Sequence, residues 1–230
     1  MIKVAWLTLD SVRAADAEAA LCRFSGGREE RSVVKEVTAL QSGRWLNLEL
    51  GLIELYFIHD WCRLLSRLFG CTAVGFVAFE GLWDYSIYHG GHEIAGMDAQ
   101  TEARTFLFGD LLAGAELLGT PPATLKAYCR SYPIPESIQP LYAVLFHSDW
   151  GEDVRAFPDD EFDPWNEWAH SDFARHFGAK YPVEQSALQW RIDSCKEQWP
   201  TLPDRLDAHS ERRFPRRWLG LERLHPRNWP

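Results

Sequence analysis

The segment Tyr85-Ser86-Ile87-Tyr88-His89-Gly90-Gly91-His92-Glu93-Ile94 constrains the fold of this chain more than any other stretch. Two alternating segments flank a Gly-Gly pair, and glycine supplies the positive φ that a tight hairpin turn demands. The chain around it is therefore expected to build an antiparallel or mixed sheet, covered by helices on one face.

The first hundred residues extend that expectation. Residues 2–9 are apolar and β-branched and predict a strand. Ser11 to Phe24 is Ala-rich, with Ala17, Ala20, Leu21 and Phe24 at helical spacing, and Gly26-Gly27 closes it. Residues 31–40 alternate loosely, as a strand would. Gln41-Ser42-Gly43 then turns the chain into Trp45–Leu50, where Leu46, Leu48 and Leu50 share one face and Asn47 and Glu49 the other, a half-buried strand. From Phe57 to Phe69 the period changes. Ile58, Trp61, Leu64, Leu65 and Leu68 mark an amphipathic helix that Gly70 ends. Cys71–Phe79 is a Val- and Phe-rich run, a buried strand.

The second half reads differently. Phe106–Leu118 has helical character. A further helix is expected from Thr120, as N-cap before Pro121-Pro122, to about Tyr132. Pro133, Pro135 and Pro140 form a stiff connector, and Leu141–Phe146 reads as a short strand. A helix is expected over Ser171–Phe177, or from Pro164, ending at Gly178. Another spans Ser186–Trp199, with Leu188, Ile192, Cys195 and Trp199 on one side. Beyond Pro200 the chain is Pro- and Arg-rich, a tail that wraps the surface. The expected fold class is α+β: a mostly antiparallel sheet region over 1–100 with the 57–69 helix packed on it, then a mainly helical, aromatic-rich region over 101–230 that shares one domain with it or stands apart.

Composition narrows the function classes. The 230 residues are 46% hydrophobic and 25% charged, ordinary for a globular chain. The net charge of −9 opposes broad binding to nucleic acid or anionic membranes, both of which need an excess of Lys and Arg. The five cysteines (Cys22, Cys62, Cys71, Cys129 and Cys195) are scattered, with no C-x-x-C pair, unlike a secreted disulfide framework. The start of the chain lacks the apolar core of a signal peptide, and the most apolar stretch, Leu46 to Phe57, is too short to span a bilayer. Arginine far outnumbers lysine, the usage of a GC-rich bacterial genome. The expected location is cytoplasmic.

Motifs for chemistry are sparse. Gly26-Gly27-Arg28 and Gly90-Gly91-His92 match neither a P-loop nor a dinucleotide fingerprint, and no G-x-S-x-G elbow occurs. His147-x-Asp149 on a strand would place both groups on one face, as metal ligands require. His170-x-Asp172 on a helix would not, although His176 is nearby. His59, Asp60 and Cys62 form a similar set on the Phe57–Phe69 helix, where His59 and Cys62 share a face. Hydrogen-bonded or solvated groups are the commoner meaning of such pairs. Paired carboxylates for hydrolysis would need placement across a cleft, which the contiguous run Asp159, Asp160, Glu161 and Asp163 does not supply. Asp84, beside Trp83, offers a better-placed acid, but a turn residue is the preferred reading. No cofactor is expected.

The charge map carries more. Nine acids and one base lie between Asp149 and Asp172, interleaved with Trp150, Phe157, Phe162, Trp165, Trp168 and Phe173, whereas Pro203 to Pro230 has seven arginines against four acids. Either the tail covers the acidic stretch and its aromatics fill a core, or acids and tryptophans form an exposed surface for a basic protein. Eleven tryptophans in one chain, several times the usual frequency, raise the exposed-surface reading without establishing it.

Two stretches carry a resemblance. Asp60-Trp61-Cys62-Arg63-Leu64-Leu65-Ser66-Arg67, then Cys71–Phe79 and Asp84-Tyr85-Ser86-Ile87-Tyr88-His89-Gly90-Gly91, resemble a helix, buried strand and hairpin found in uncharacterised bacterial cytosolic proteins. Phe157-Pro158-Asp159-Asp160-Glu161-Phe162 and Trp168-Ala169-His170-Ser171-Asp172-Phe173-Ala174-Arg175-His176-Phe177-Gly178, with Tyr181-Pro182, resemble the ending of the same sort of protein. About a third of the chain is covered, and Trp83-Asp84 stands in reordered sequence relative to the pattern. Such proteins look like immunity partners or accessory proteins of bacterial toxin systems. The resemblance implies a non-enzymatic, protein-binding role and brings no catalytic residue. The first functional expectation is thus a binding protein that covers a basic partner through Trp150, Asp159, Asp160, Asp163 and Trp165. The second is a small metal-dependent or acid–base hydrolase using His147, Asp149, His170 and Asp172. Homo-oligomerisation through exposed tryptophans is a third.

Overall fold

The computed structural model describes residues 3–27, 33–52, 54–79, 82–101, 104–128, 155–162, 164, 166–183, 187–192 and 197–203. The elements are β1 (Lys3–Asp10), α1 (Ala14–Phe24), β2 (Glu36–Ser42), β3 (Trp45–Leu50), α2 (Phe57–Phe69), β4 (Thr72–Phe79), β5 (Leu82–His89), β6 (His92–Thr101), β7 (Arg104–Gly109), α3 (Leu111–Leu118), α4 (Pro122–Ala127), α5 (Ala169–Arg175) and β8 (Leu188–Arg191). The strands form one eight-stranded sheet in the order β7-β6-β5-β4-β1-β3-β2-β8, antiparallel throughout. The chain is α+β. The hairpin falls where Gly90-Gly91 placed it, with φ of 56° and 89° at the turn.

Helices cover the sheet on both faces, not on one as the alternation suggested. Ala5, Leu7 and Leu9 of β1 turn towards α1 and α2, in a core with Leu21, Phe24, Trp61 and Leu65. Val4 and Trp6 turn the other way, into a core with Phe76, Tyr85, Leu118, Leu125 and Phe173 from under α3, α4 and α5. Double coverage explains why β4 reads as one continuous apolar run. It also corrects the reading of Trp45–Leu50 as half-buried, because Asn47 is fully enclosed. Its amide donates to Leu40 O and Trp45 O, and its Oδ1 accepts from Lys180 N, so the polar side chain stitches the sheet to the segment after α5.

Several other boundaries differ. The run expected as a helix over Phe106–Leu118 splits into β7 and α3. Gly109 ends the strand at φ 76°, and Asp110 restarts the chain as an N-cap, its Oδ1 accepting from Leu112 N and Ala113 N at 3.1 and 3.0 Å. Pro121, not Thr120, caps α4. The strand expected over 31–40 begins at Glu36. Within Ser186–Trp199, residues Leu188–Arg191 form a strand. Pairing with the open edge of β2, with Trp190 opposite Val37, prevails over the helical spacing. Strands β7 and β8, from beyond residue 100, thus complete the sheet begun by the first hundred residues. The expected Leu141–Phe146 strand, the proline connector and the tail beyond 203 lie outside the described residues, as does the question of whether that tail covers the acidic stretch.

Among the described residues, six tryptophans are buried: Trp6, Trp45, Trp61, Trp83, Trp190 and Trp199. Trp6 stacks on Phe76 at 4.2 Å, and the indole N–H groups of Trp45, Trp83 and Trp199 donate to the carbonyls of Phe177, Pro164 and Phe24. Each ring fills a core while its one donor ties distant stretches of chain together: Trp45 and Trp83 bind later segments to the sheet, and Trp199 binds its own segment to the end of α1.

Candidate functional site

The acidic loop 155–162 lies against the ends of α4 and α5, and one carboxylate fixes it. Asp160 is buried. Its Oδ2 accepts from Tyr128 Oη at 2.8 Å and Phe157 N at 3.0 Å; its Oδ1 lies 3.0 Å from His176 Nε2 and 3.3 Å from Arg175 Nη2. His176 Nε2 is also 3.0 Å from Tyr128 Oη, and its ring packs on Phe157 at 4.3 Å. Burial, then the Asp160 carboxylate, push the Tyr128 hydroxyl well above its ordinary range, so it stays a donor.

Asp172 adds a second anchor. Its Oδ2 accepts from Phe162 N at 2.7 Å, and its Oδ1 pairs with Arg175 at 3.2 Å. Burial raises its pKa, opposed by the Phe162 amide and Arg175. Arg175 Nη2 also donates to Asp159 O at 2.7 Å, and Arg155 Nη1 donates to Asp160 O. The Arg175 guanidinium thereby holds two residues of the loop, Asp159 and Asp160, together with Asp172 on its own helix.

What the loop presents outward is the complement of what it spends inward. Asp159 has a side chain 76% exposed, and Glu161 is also exposed. The twin Asp159-Asp160 therefore divides its labour: one acid faces solvent and the other holds the fold. Sequence reasoning treated the pair alike, and it missed Tyr128 and Arg175. An aspartate followed three residues after an aromatic and fifteen before an arginine carries no local signature. Trp150, Asp163 and Trp165, with His147 and Asp149, lie outside the described residues.

His170 and Asp172 point into different surroundings, as two residues two apart on a helix must. His170 is enclosed by Trp6, Phe76, Trp168 and Tyr181, and its Nδ1 accepts from Trp6 Nε1 at 3.3 Å. Burial lowers its pKa to about 3, so the ring is neutral. Among the described residues no group of three His, Cys, Asp or Glu side chains is arranged to hold a metal ion. No described helix is long and apolar enough to cross a membrane.

A second polar cluster lies under α2. Arg63 Nη1 pairs with Asp60 Oδ1 at 3.2 Å, Tyr88 Oη donates to Glu93 Oε1 at 3.0 Å, and His59 Nε2 is 3.3 Å from Asp84 Oδ1. Asp84 lies within β5, not in a turn. His59 Nδ1 and Arg63 Nε are buried without a hydrogen-bond partner.

No protein-family model matches this chain, and neither the curated proteins nor the solved structures contain a significant match to it.

Proposed function

We propose that the chain is a non-enzymatic protein-binding protein whose acidic loop engages a basic partner, in the manner of an immunity protein that covers the active surface of a toxin. The observation that carries this reading is the division of acids in 155–162. Asp160 and Asp172 hold the loop in one conformation, and Asp159 and Glu161 are left facing solvent. A surface ordered beforehand loses little conformational freedom on binding. Exposed carboxylates steer a positively charged partner to it, in keeping with the net charge of −9. The immunity-type role rests on the sequence resemblance.

The test is a titration of the purified chain against basic proteins, including the product of any toxin-like reading frame beside its gene. The expected result is a complex at micromolar concentration or tighter that weakens at least about tenfold in the D159N/E161Q double variant. The control E116Q, which removes an exposed acid from α3, leaves affinity unchanged. Absence of any complex at micromolar concentrations would overturn the reading.

A further inference from the structure

The acidic loop makes no use of the β5–β6 hairpin, whose turn is bounded by two histidines. His89 ends β5, His92 begins β6, and only Gly90-Gly91 separates them. The register pairs His89 directly with His92, so both side chains leave the same face of the sheet, with Cβ atoms about 5 Å apart. Both residues are exposed. The turn between them is held from behind: Gly91 N donates to Ser66 Oγ of α2 at 3.0 Å, and Gly90 N donates to Cys71 O. One ring is also oriented. Thr72, the partner of His89 on β4, is 3% exposed, and its Oγ1 lies 3.2 Å from His89 Nδ1. With Nδ1–H donating to that hydroxyl, the lone pair of His89 is on Nε2, the tautomer that a metal-ligating imidazole needs. Glu93, the next residue of β6, alternates to the other face, where it accepts from Tyr88 Oη. The donors at the turn are therefore nitrogens without a carboxylate between them.

We propose that His89 and His92 form a two-histidine site for a late first-row divalent metal ion, with Thr72 as the positioning residue. Imidazole nitrogens at cross-strand spacing reach a shared ion at the usual metal–nitrogen distance of about 2.1 Å. A pair of imidazoles suits nickel, copper and zinc, whereas calcium and magnesium require oxygen donors. Among the described residues no set of three His, Cys, Asp or Glu side chains is arranged to hold an ion, so water completes the coordination shell. The site is thus open and exchangeable, unlike a closed structural centre with four protein ligands. Because Ser66 and Cys71 already fasten the turn, binding orders little backbone, and the ion clamps β5 to β6 in the folded chain alone.

The experiment titrates the full chain, free of any histidine tag, with Ni2+ by calorimetry and repeats the titration with Mg2+. Nickel is the probe because it favours imidazole and does not oxidise thiols. The expected result is one Ni2+ per chain at micromolar concentration, no response to Mg2+, and a melting temperature that rises with Ni2+. H89Q and H92Q each weaken binding at least about tenfold, T72V weakens it about tenfold through the ring it orients, and H89Q/H92Q abolishes both binding and the rise in melting temperature. Thermal melts without metal check that each variant is folded. No one-to-one Ni2+ complex at micromolar concentration would overturn the proposal without any variant. Affinity retained by folded H89Q/H92Q would overturn it by placing the ion on other histidines, and affinity unchanged in folded T72V would overturn the part given to Thr72.

Discussion

On the α5 face of the sheet, carboxylates act as fasteners. Asp160 and Asp172 each take backbone and side-chain donors from a loop and a helix, and the aromatic rings around Phe173 close over them. On the α2 face the buried polar groups pair beneath a helix, with His59 Nδ1 and Arg63 Nε lacking a hydrogen bond, as His170 Nε2 does on the α5 face. Satisfied polar networks hold one conformation, while unsatisfied buried polar atoms cost free energy that folding alone does not recover. The difference lies in what is fastened: on the α5 face two buried carboxylates fix a loop that reaches the surface, whereas on the α2 face the polar pairs lie beneath a helix.

The strongest way to break the comparison is to remove the α5 anchor. Phe173 is fully buried, stacks on Tyr85 at 4.4 Å and touches Phe76, Trp83, Tyr128 and Phe177. F173A should lower unfolding free energy by ~4 kcal/mol in urea titration, because the emptied ring space is lined on several sides. Acid tests the same face next. The folded chain keeps His170 neutral to about pH 3 against an ordinary value of 6.5, so the unfolded chain binds a proton that the folded one refuses. Stability is therefore full above the ordinary value and falls as pH drops from it towards the folded one. Between pH 7 and 4.5 this group should account for about 2–3 kcal/mol, measured as a shallower decline in H170N than in the unaltered chain.

Smaller effects sharpen the contrast. D160N exchanges a carboxylate for an amide that must turn a donor towards its neighbours, and should cost ~2 kcal/mol by thermal melting. On the opposite face, G75A places a methyl group 2.8 Å from Cys62 Sγ, and should cost about 1–2 kcal/mol by the same measurement. D110A removes the cap of α3 and should cost ~1 kcal/mol, with little effect on either face.

Much of the sheet was legible because its signals are local. The Gly90-Gly91 turn, the 57–69 periodicity and the apolar run after Cys71 each announce an element within a dozen residues. The errors share a physical cause. Gly109-Asp110 is a stop followed by a start, and reading through it merged a strand with a helix. Leu188–Arg191 has helical spacing, yet the open edge of β2 supplies backbone partners that no local pattern reveals. Asn47 looked solvent-facing because period 2 reports alternation and not what covers the second face. The site was legible as a concentration of acids and rings. Which acid turns inward depends on Tyr128, Arg175 and His176 meeting at Asp160, a contact between segments up to 48 residues apart. Likewise, the His59–Asp84 approach joins two groups whose pairing is set by the docking of α2 on β5.

The central claim is that the acids of one loop are divided between holding it and presenting it. Paired calorimetric titrations and thermal melts of D159N/E161Q and D160N, with a basic partner that binds the unaltered chain, test it most directly. Affinity should fall at least about tenfold in D159N/E161Q with the melting temperature unchanged, whereas D160N should lower the melting temperature. Full affinity retained by D159N/E161Q, or a melting temperature untouched by D160N, would contradict it.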